Sequence, residues 1–158
     1  MTDPILLIDL SSVWWPAYRA TGGEDIGSAN TVALQRVQAL ASRYKHVGIA
    51  LDAGRSFRVE LSSAYKANRE RDTVALDLIR KVQERLRADG FLTWQVPGFE
   101  ADDILATLSR AASEAGQEVV IASSDKDLMA CIGAGVAVLS TSTDKLYGVP
   151  EVVEKFGV

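Results

Sequence analysis

Short apolar runs alternate with amphipathic helical patterns along this chain, which predicts an α/β fold built on a mainly parallel sheet with helices on both faces. Apolar runs at residues 5–8, 47–51, 92–96, 119–122 and 136–139 have the length of buried strands. Carboxylates follow most of these runs. In an open sheet of this kind the strand ends converge on one edge, where ligands bind.

Ile5-Leu6-Leu7-Ile8 reads as a buried strand and runs into Asp9. Residues 31–44 carry Val32, Leu34, Val37, Leu40 and Ala41 at helical spacing, with Asn30 expected as the N-cap. The run 47–51 ends at Asp52. Residues 73–88 repeat Val74, Leu78, Val82 and Leu86 and stop at Gly90, a helix with a glycine terminator. The run 92–96 leads through Gly98 to Glu100-Ala101-Asp102-Asp103. A helix is then expected over 102–115, with Ile104, Leu105, Leu108, Ala111 and Ala112 on its apolar side and Gly116 at its end. Run 119–122 precedes Asp125 and Asp127. Residues 21–28, rich in glycine and acids, read as a loop. Residues 55–72 have weak periodicity and are expected to order on binding a partner.

Length and composition narrow the function. At 158 residues the chain is expected to form one domain, 1–158, able to bury a core. No apolar run approaches the roughly 20 residues of a spanning helix, and Met1-Thr2-Asp3-Pro4 lacks the pattern of a signal peptide. Cys131 is the single cysteine, so an internal disulfide is excluded and a reducing, cytoplasmic compartment is expected. One cysteine and one histidine cannot build an ordinary zinc site. A metal site here must use oxygen ligands, which favours magnesium or manganese.

The net charge of −4 conceals a segregation. Between Ala53 and Arg87 nine basic residues face five acidic ones, a net of +4. They include Arg55, Arg58, Lys66, Arg69 and Arg71. A charge run alone usually means a solvated helix face; beside an acidic pocket it fits phosphate.

Each aspartate taken singly has an ordinary explanation as a helix cap or turn former. Together they ask for more. Glu100 and Asp103 are three apart and share a helix face, while Asp102 points elsewhere on the same turn. Asp125-Lys126-Asp127 places two carboxylates on one side of an extended turn. So many like charges repel unless cations neutralise them. Two hard cations about 3.5–4 Å apart form a clamp for in-line attack on a phosphodiester. Other acidic α/β sites fit less well: no Asp-x-Asp follows the first strand, and neither common nucleotide-binding glycine loop occurs.

At these residues the chain resembles the 5′-nuclease (flap endonuclease) superfamily, in particular bacterial and phage 5′–3′ exonucleases and the corresponding domain of DNA polymerase I. The matching segments are Leu6-Leu7-Ile8-Asp9-Leu10-Ser11-Ser12, Leu51-Asp52-Ala53 and Phe57-Arg58-Val59-Glu60-Leu61. They continue with Tyr65-Lys66-Ala67-Asn68-Arg69, Gly98-Phe99-Glu100-Ala101-Asp102-Asp103, Ser124-Asp125-Lys126-Asp127-Leu128 and Tyr147-Gly148-Val149. The resemblance implies a PIN-like three-layer sandwich with a basic helical arch. It implies that Asp9, Asp52, Glu100, Asp102, Asp103, Asp125 and Asp127 hold magnesium or manganese, directly or through water, in a two-metal site whose second half is incomplete. Lys66 and Arg69 would reach the scissile phosphate from the base of the arch, where a cation stabilises developing charge. Tyr65 would match an aromatic on which a base stacks, with Arg55, Arg58 and Arg71 contributing to nucleic-acid binding. The implied partner is DNA with a 5′ end, a flap or a single-strand/duplex junction, bound by a monomer with no membrane involved.

The departures from the family pattern are specific. Leu10 stands where glycine usually follows the first aspartate, and Ser124 where glycine usually precedes Asp-Lys-Asp. Pro16 occupies the place of an arginine before Ala17-Tyr18, with Arg19 nearby as a partial substitute. The chain ends where the family enters its helix–three-turn–helix region, so a fragment of a longer protein is expected. Rival readings are a weakly active nucleic-acid-binding module and a PIN-type ribonuclease.

The remaining singular residues have plain readings. One of Trp14 and Trp15 is expected in the core, the other facing the pocket or a partner. Trp94 is expected to be core and His46 an exposed corner. Cys131 reads as a small buried hydrophobe. Ser11 and Ser12 lack a base and read as hydrogen bonders to functional groups.

Overall fold

A computed structural model describes residues 3–21, 27–53 and 73–157. Arg55, Arg58, Tyr65, Lys66, Arg69 and Arg71, and with them the expected arch, lie outside the described residues.

The apolar runs form strands, and those at the centre of the sheet are largely buried on both sides, while the run at 92–94 is half-exposed. The strands are β1 (Ile5–Asp9), β2 (His46–Ala50), β3 (Leu92–Trp94), β4 (Val119–Ala122), β5 (Val136–Leu139) and β6 (Leu146–Tyr147). They lie in the order β3-β2-β1-β4-β5-β6, with every pairing parallel except the antiparallel β5–β6 edge. In β1, Leu6 and Ile8 face one core while Leu7 faces the other, the two-residue alternation of a strand covered on both faces.

The first face is covered by α1 (Leu10–Ala20), α2 (Ser28–Ala41) and α3 (Thr73–Ala88). Trp14, Val37, Val82 and Leu86 pack there against Leu6, Ile8 and Ile49. The second face is covered by α4 (Ala101–Glu114) and a 3-10 helix at Lys126–Cys131, through Ile104, Leu105 and Leu128. A short helix, α5 (Val149–Phe156), follows β6. This is the three-layer α/β sandwich expected from the alternation.

Several boundaries differ from the sequence reading, each for a physical reason. Helix α2 starts at Ser28 with Gly27 at the N-cap, so Asn30 is not the cap. Its amide instead accepts from Trp14 Nε1 at 2.9 Å and donates to the Leu78 carbonyl at 3.1 Å. A buried indole N–H requires an acceptor, and Asn30 supplies it while joining three helices. Trp14 is the core tryptophan, stacked on Tyr18 with ring centroids 4.9 Å apart. Strand β3 ends at Trp94, short of residue 96, because Val96 accepts from Phe99 N–H in a turn around Pro97. His46 is exposed, but it is the first residue of β2 and not a residue preceding it.

Helix α1 carries Pro16 in its interior. Proline has no N–H to give the carbonyl four residues back. That carbonyl, on Ser12, accepts from Thr141 Oγ1 at 3.4 Å. The helix therefore survives its proline with help from a residue 129 positions away in sequence.

Gly48 in β2 is set by packing. A Cβ at this position would lie 2.1 Å from the Trp94 indole. Gly48→Ala is expected to destabilise the protein by about 1–3 kcal/mol through overpacking. Urea denaturation measures this, and an unchanged midpoint would refute the close contact.

Candidate metal-binding cleft

The parallel registers bring the ends of β1, β2 and β4 to one edge: Ala50 lies opposite Asp9, and Ala122 opposite Ile8. Asp9 closes β1, Asp52 follows β2 by two residues, and Asp125 and Asp127 follow β4. The start of α4 adds Glu100 and Asp102 from the second face. These six carboxylates line one cleft of about 410 Å³, together with Ser11, Ser12, Trp15, Pro16, Arg19 and Ser124.

Asp9, like Glu100, is buried, 7% exposed. It occupies the N-cap position of α1 yet makes no capping hydrogen bond. Its Oδ2 instead accepts from Ser12 Oγ at 2.7 Å and Ser123 Oγ at 2.9 Å. Its Oδ1 is buried without a hydrogen-bond partner. Burial above all pushes the Asp9 carboxyl up to about 6, with Asp52 and Asp102 adding to the rise and the two serines opposing it.

Asp52 is held from two sides, by Ser11 Oγ on Oδ2 at 2.5 Å and by the Ala101 N–H on Oδ1 at 2.7 Å. Its own carbonyl accepts from Gln95 Nε2 at 2.8 Å. Burial, then the neighbouring Glu100, Asp125 and Asp103 charges, raise the Asp102 carboxyl. Asp125 accepts from the Asp127 N–H at 2.9 Å, so one of its oxygens serves as a turn cap.

The seventh acid is placed differently. Asp103 does not line the cleft; its Oδ2 accepts from the Glu100 N–H at 3.0 Å, closing the first turn of α4. Ser11 and Ser12 act as hydrogen bonders to Asp52 and Asp9. Trp15 is the half-buried tryptophan on the cleft wall, edge-on to Trp14 with centroids 4.9 Å apart.

Ser123 escaped the sequence reading. Its buried hydroxyl donates to Asp9 and accepts from the Asp125 N–H at 3.0 Å, linking the acids after β1 and β4. The available signal was a small polar residue wedged between an apolar run and an acidic turn. Trp94 and Cys131 are half-buried among the second-face core.

The donor set suits a hard cation. It is all oxygen, and the orphaned Asp9 Oδ1 is the buried lone pair such an ion would satisfy. Among the described residues, no three acidic, histidine or cysteine side chains are gathered tightly enough to cage an ion unaided. A cation there would draw carboxylates inward or keep part of its water shell, as magnesium commonly does.

Comparison with known proteins agrees with this architecture. DNA polymerase I of Rhizobium leguminosarum is 40% identical over 115 residues, which is 72% of this chain and 11% of the polymerase. The 5′-3′ exonuclease of Buchnera aphidicola is 27% identical over 168 residues, 99% of this chain and 58% of the exonuclease. The chain thus spans less than two thirds of the length of these relatives. Among solved structures, the bacteriophage T5 D15 flap endonuclease in complex with DNA and metal ions superposes with a TM-score of 0.75 at 19% identity, over 98% of this chain and 61% of that one. At that identity the likeness shows the fold, which is PIN-like. The family described as 5′-3′ exonuclease, N-terminal resolvase-like domain, matches residues 4–157, and this chain belongs to it.

Proposed function

We propose that the cleft is the active site of a divalent-metal-dependent nuclease that hydrolyses DNA phosphodiesters near a free 5′ end, as a 5′–3′ exonuclease or flap endonuclease. Family membership supports the reaction class. The observation that ties it to this cleft is Asp9, with one oxygen fixed by two serines and the other buried and unpartnered. A buried, unsatisfied carboxylate oxygen costs stability and is retained here where a cation would use it.

Magnesium or manganese fits the oxygen donors; when bound, such ions neutralise the acids, polarise a phosphoryl oxygen and make water a better nucleophile. The chain's own residues do the rest. Asp9, Asp52, Glu100, Asp102, Asp125 and Asp127 supply the ligand oxygens. Ser12 and Ser123 orient Asp9, and Ser11 with the Ala101 N–H orients Asp52. Asp103 holds the turn that presents Glu100 and Asp102, a supporting role in place of direct ligation. Lys66 and Arg69 neutralise charge on the transferred phosphoryl group, Tyr65 stacks a base, and Arg55, Arg58 and Arg71 hold the backbone. The T5 enzyme, solved with DNA and metal ions, supports this reading. Residues 1–158 act as a monomeric catalytic domain on DNA with a 5′ end, flap or junction. Among the described residues no helix is long and apolar enough to cross a membrane; the proposed setting is the cytoplasm, near the nucleoid.

A 5′-flap substrate tests the proposal. Cleavage is expected in magnesium and none in EDTA, with Asp125→Asn slower by about 10–100-fold, the cost typical of disturbing a metal ligand's surroundings. Equal rates for the two proteins would overturn it. Preference for unstructured RNA would reassign the site to a ribonuclease.

A further inference from the structure

Asp52 is gripped twice by one stretch of chain. Ala101, the first residue of α4, gives its N–H to the Asp52 carboxylate at 2.7 Å. Gln95, the first residue past β3, gives its side-chain amide to the Asp52 carbonyl at 2.8 Å. Backbone contact between the two strands closes one residue earlier, with the Leu51 N–H on the Trp94 carbonyl at 2.9 Å. Gln95 therefore carries the connection onto Asp52 by a side chain.

The Gln95 amide is itself oriented. Arg87, in the last turn of α3, donates from Nη2 to Gln95 Oε1 at 3.0 Å, and its Nε reaches Thr93 Oγ1 at 3.4 Å. A donor on its oxygen and an acceptor at its nitrogen leave the amide one orientation that satisfies both. The charged donor also polarises the amide and strengthens the bond made by its N–H. The helix dipole accounts for an arginine in a last turn. It does not account for this arginine reaching forward onto the side chain that holds Asp52.

We propose that Gln95, held by Arg87, is a positioning residue for Asp52, an inference that rests on the cleft being the metal-binding site. The stretch that grips Asp52 also brings Glu100 and Asp102 into the cleft from the second face. Tying both the backbone and the carboxylate of Asp52 to that stretch fixes the spacing between acids arriving from β2 and from α4. A small cation such as magnesium tolerates little variation there, since it takes near-octahedral oxygens at about 2.0–2.1 Å. Gln95 and Arg87 are exposed, so their bonds add little to stability and act on this register.

Isothermal titration calorimetry with manganese, without DNA, tests this. Gln95→Met keeps the length of the side chain and removes both hydrogen bonds; Gln95→Ala removes the side chain. Both are expected to bind manganese about tenfold more weakly, the lower end of the loss for partners of a metal ligand. Arg87→Ala should also weaken binding, by less, because it acts through Gln95. Deleting a positive charge would by itself favour a cation in the cleft, so a weaker affinity in Arg87→Ala marks the relay. The double variant should bind no more weakly than Gln95→Met alone. In magnesium, the Gln95 variants should need about tenfold more metal for half-maximal flap cleavage and still approach the wild-type kcat. Their melting temperatures in EDTA should match the wild type. Wild-type manganese affinity in both Gln95 variants, with or without a lowered melting temperature, would overturn the positioning role and leave the nuclease reading standing. Arg87→Ala binding manganese as well as the wild type, or better, would overturn the part of Arg87. A wild-type protein that neither binds manganese nor cleaves the flap would overturn the nuclease reading as well.

Discussion

Asp9→Asn is expected to reduce magnesium-dependent cleavage by more than about 100-fold, the upper end of the loss from disturbing a metal ligand's partners. The substitution keeps the shape, and its carbonyl still accepts from Ser12 and Ser123 on the Oδ2 side. What it removes is the negative charge on the buried Oδ1, the atom with no donor of its own. Steady-state cleavage of a 5′-flap substrate measures the loss. A second readout separates lost ligation from lost folding: magnesium should raise the melting temperature of the wild type and leave Asp9→Asn unmoved. Cleavage within a few-fold of wild type would mean that Asp9 is not a ligand.

The same carboxylate makes stability depend on pH when metal is absent. Folding raises the Asp9 carboxyl from 3.8 to about 6, chiefly by burial. The folded state therefore holds the proton more tightly than the unfolded state. Its favourable contribution is complete below about pH 4 and is lost as pH rises through about 6. A shift of this size corresponds to about 3 kcal/mol. The Asp102 carboxyl is raised for the same leading reason and acts in the same direction. Denaturation in EDTA from pH 4.5 to 8 should show the wild type losing stability relative to Asp9→Asn as pH rises. Because the variant carries every other titrating group, the difference reports Asp9 together with its coupling to Asp52 and Asp102. Parallel curves would show that the buried carboxylate carries no such cost.

Much of the fold was readable because the physics behind it is local. Runs such as Val119–Ala122 are buried along their whole length, so continuous apolarity marked the strand. Helix α3 is legible over Thr73–Ala88 because its apolar residues keep helical spacing up to a glycine. Helix α1 was not anticipated, since Pro16 and the Trp14-Trp15 pair hide its period, and its freed carbonyl finds a partner at Thr141. Asparagine caps helices locally, but in the folded protein the Trp14 indole takes the Asn30 amide instead. The β6 strand escaped because two residues carry no period.

For the cleft the division is similar. The composition restricts the chemistry: with many acids, one histidine and one cysteine, any metal held here meets oxygen donors. Strand-end placement followed from a parallel sheet, which sends the ends of β1, β2 and β4 to the same edge. The orientation of each carboxylate depends on partners that meet in the folded protein. Asp9 faces inward because Ser12 and Ser123 take one oxygen, Asp52 is fixed by Ser11 and the Ala101 N–H, and Asp103 turns back to close a helix. Hydrogen-bond donors from residues as much as 114 positions away settle those orientations. No local pattern records a competition among partners that meet only when the chain is folded.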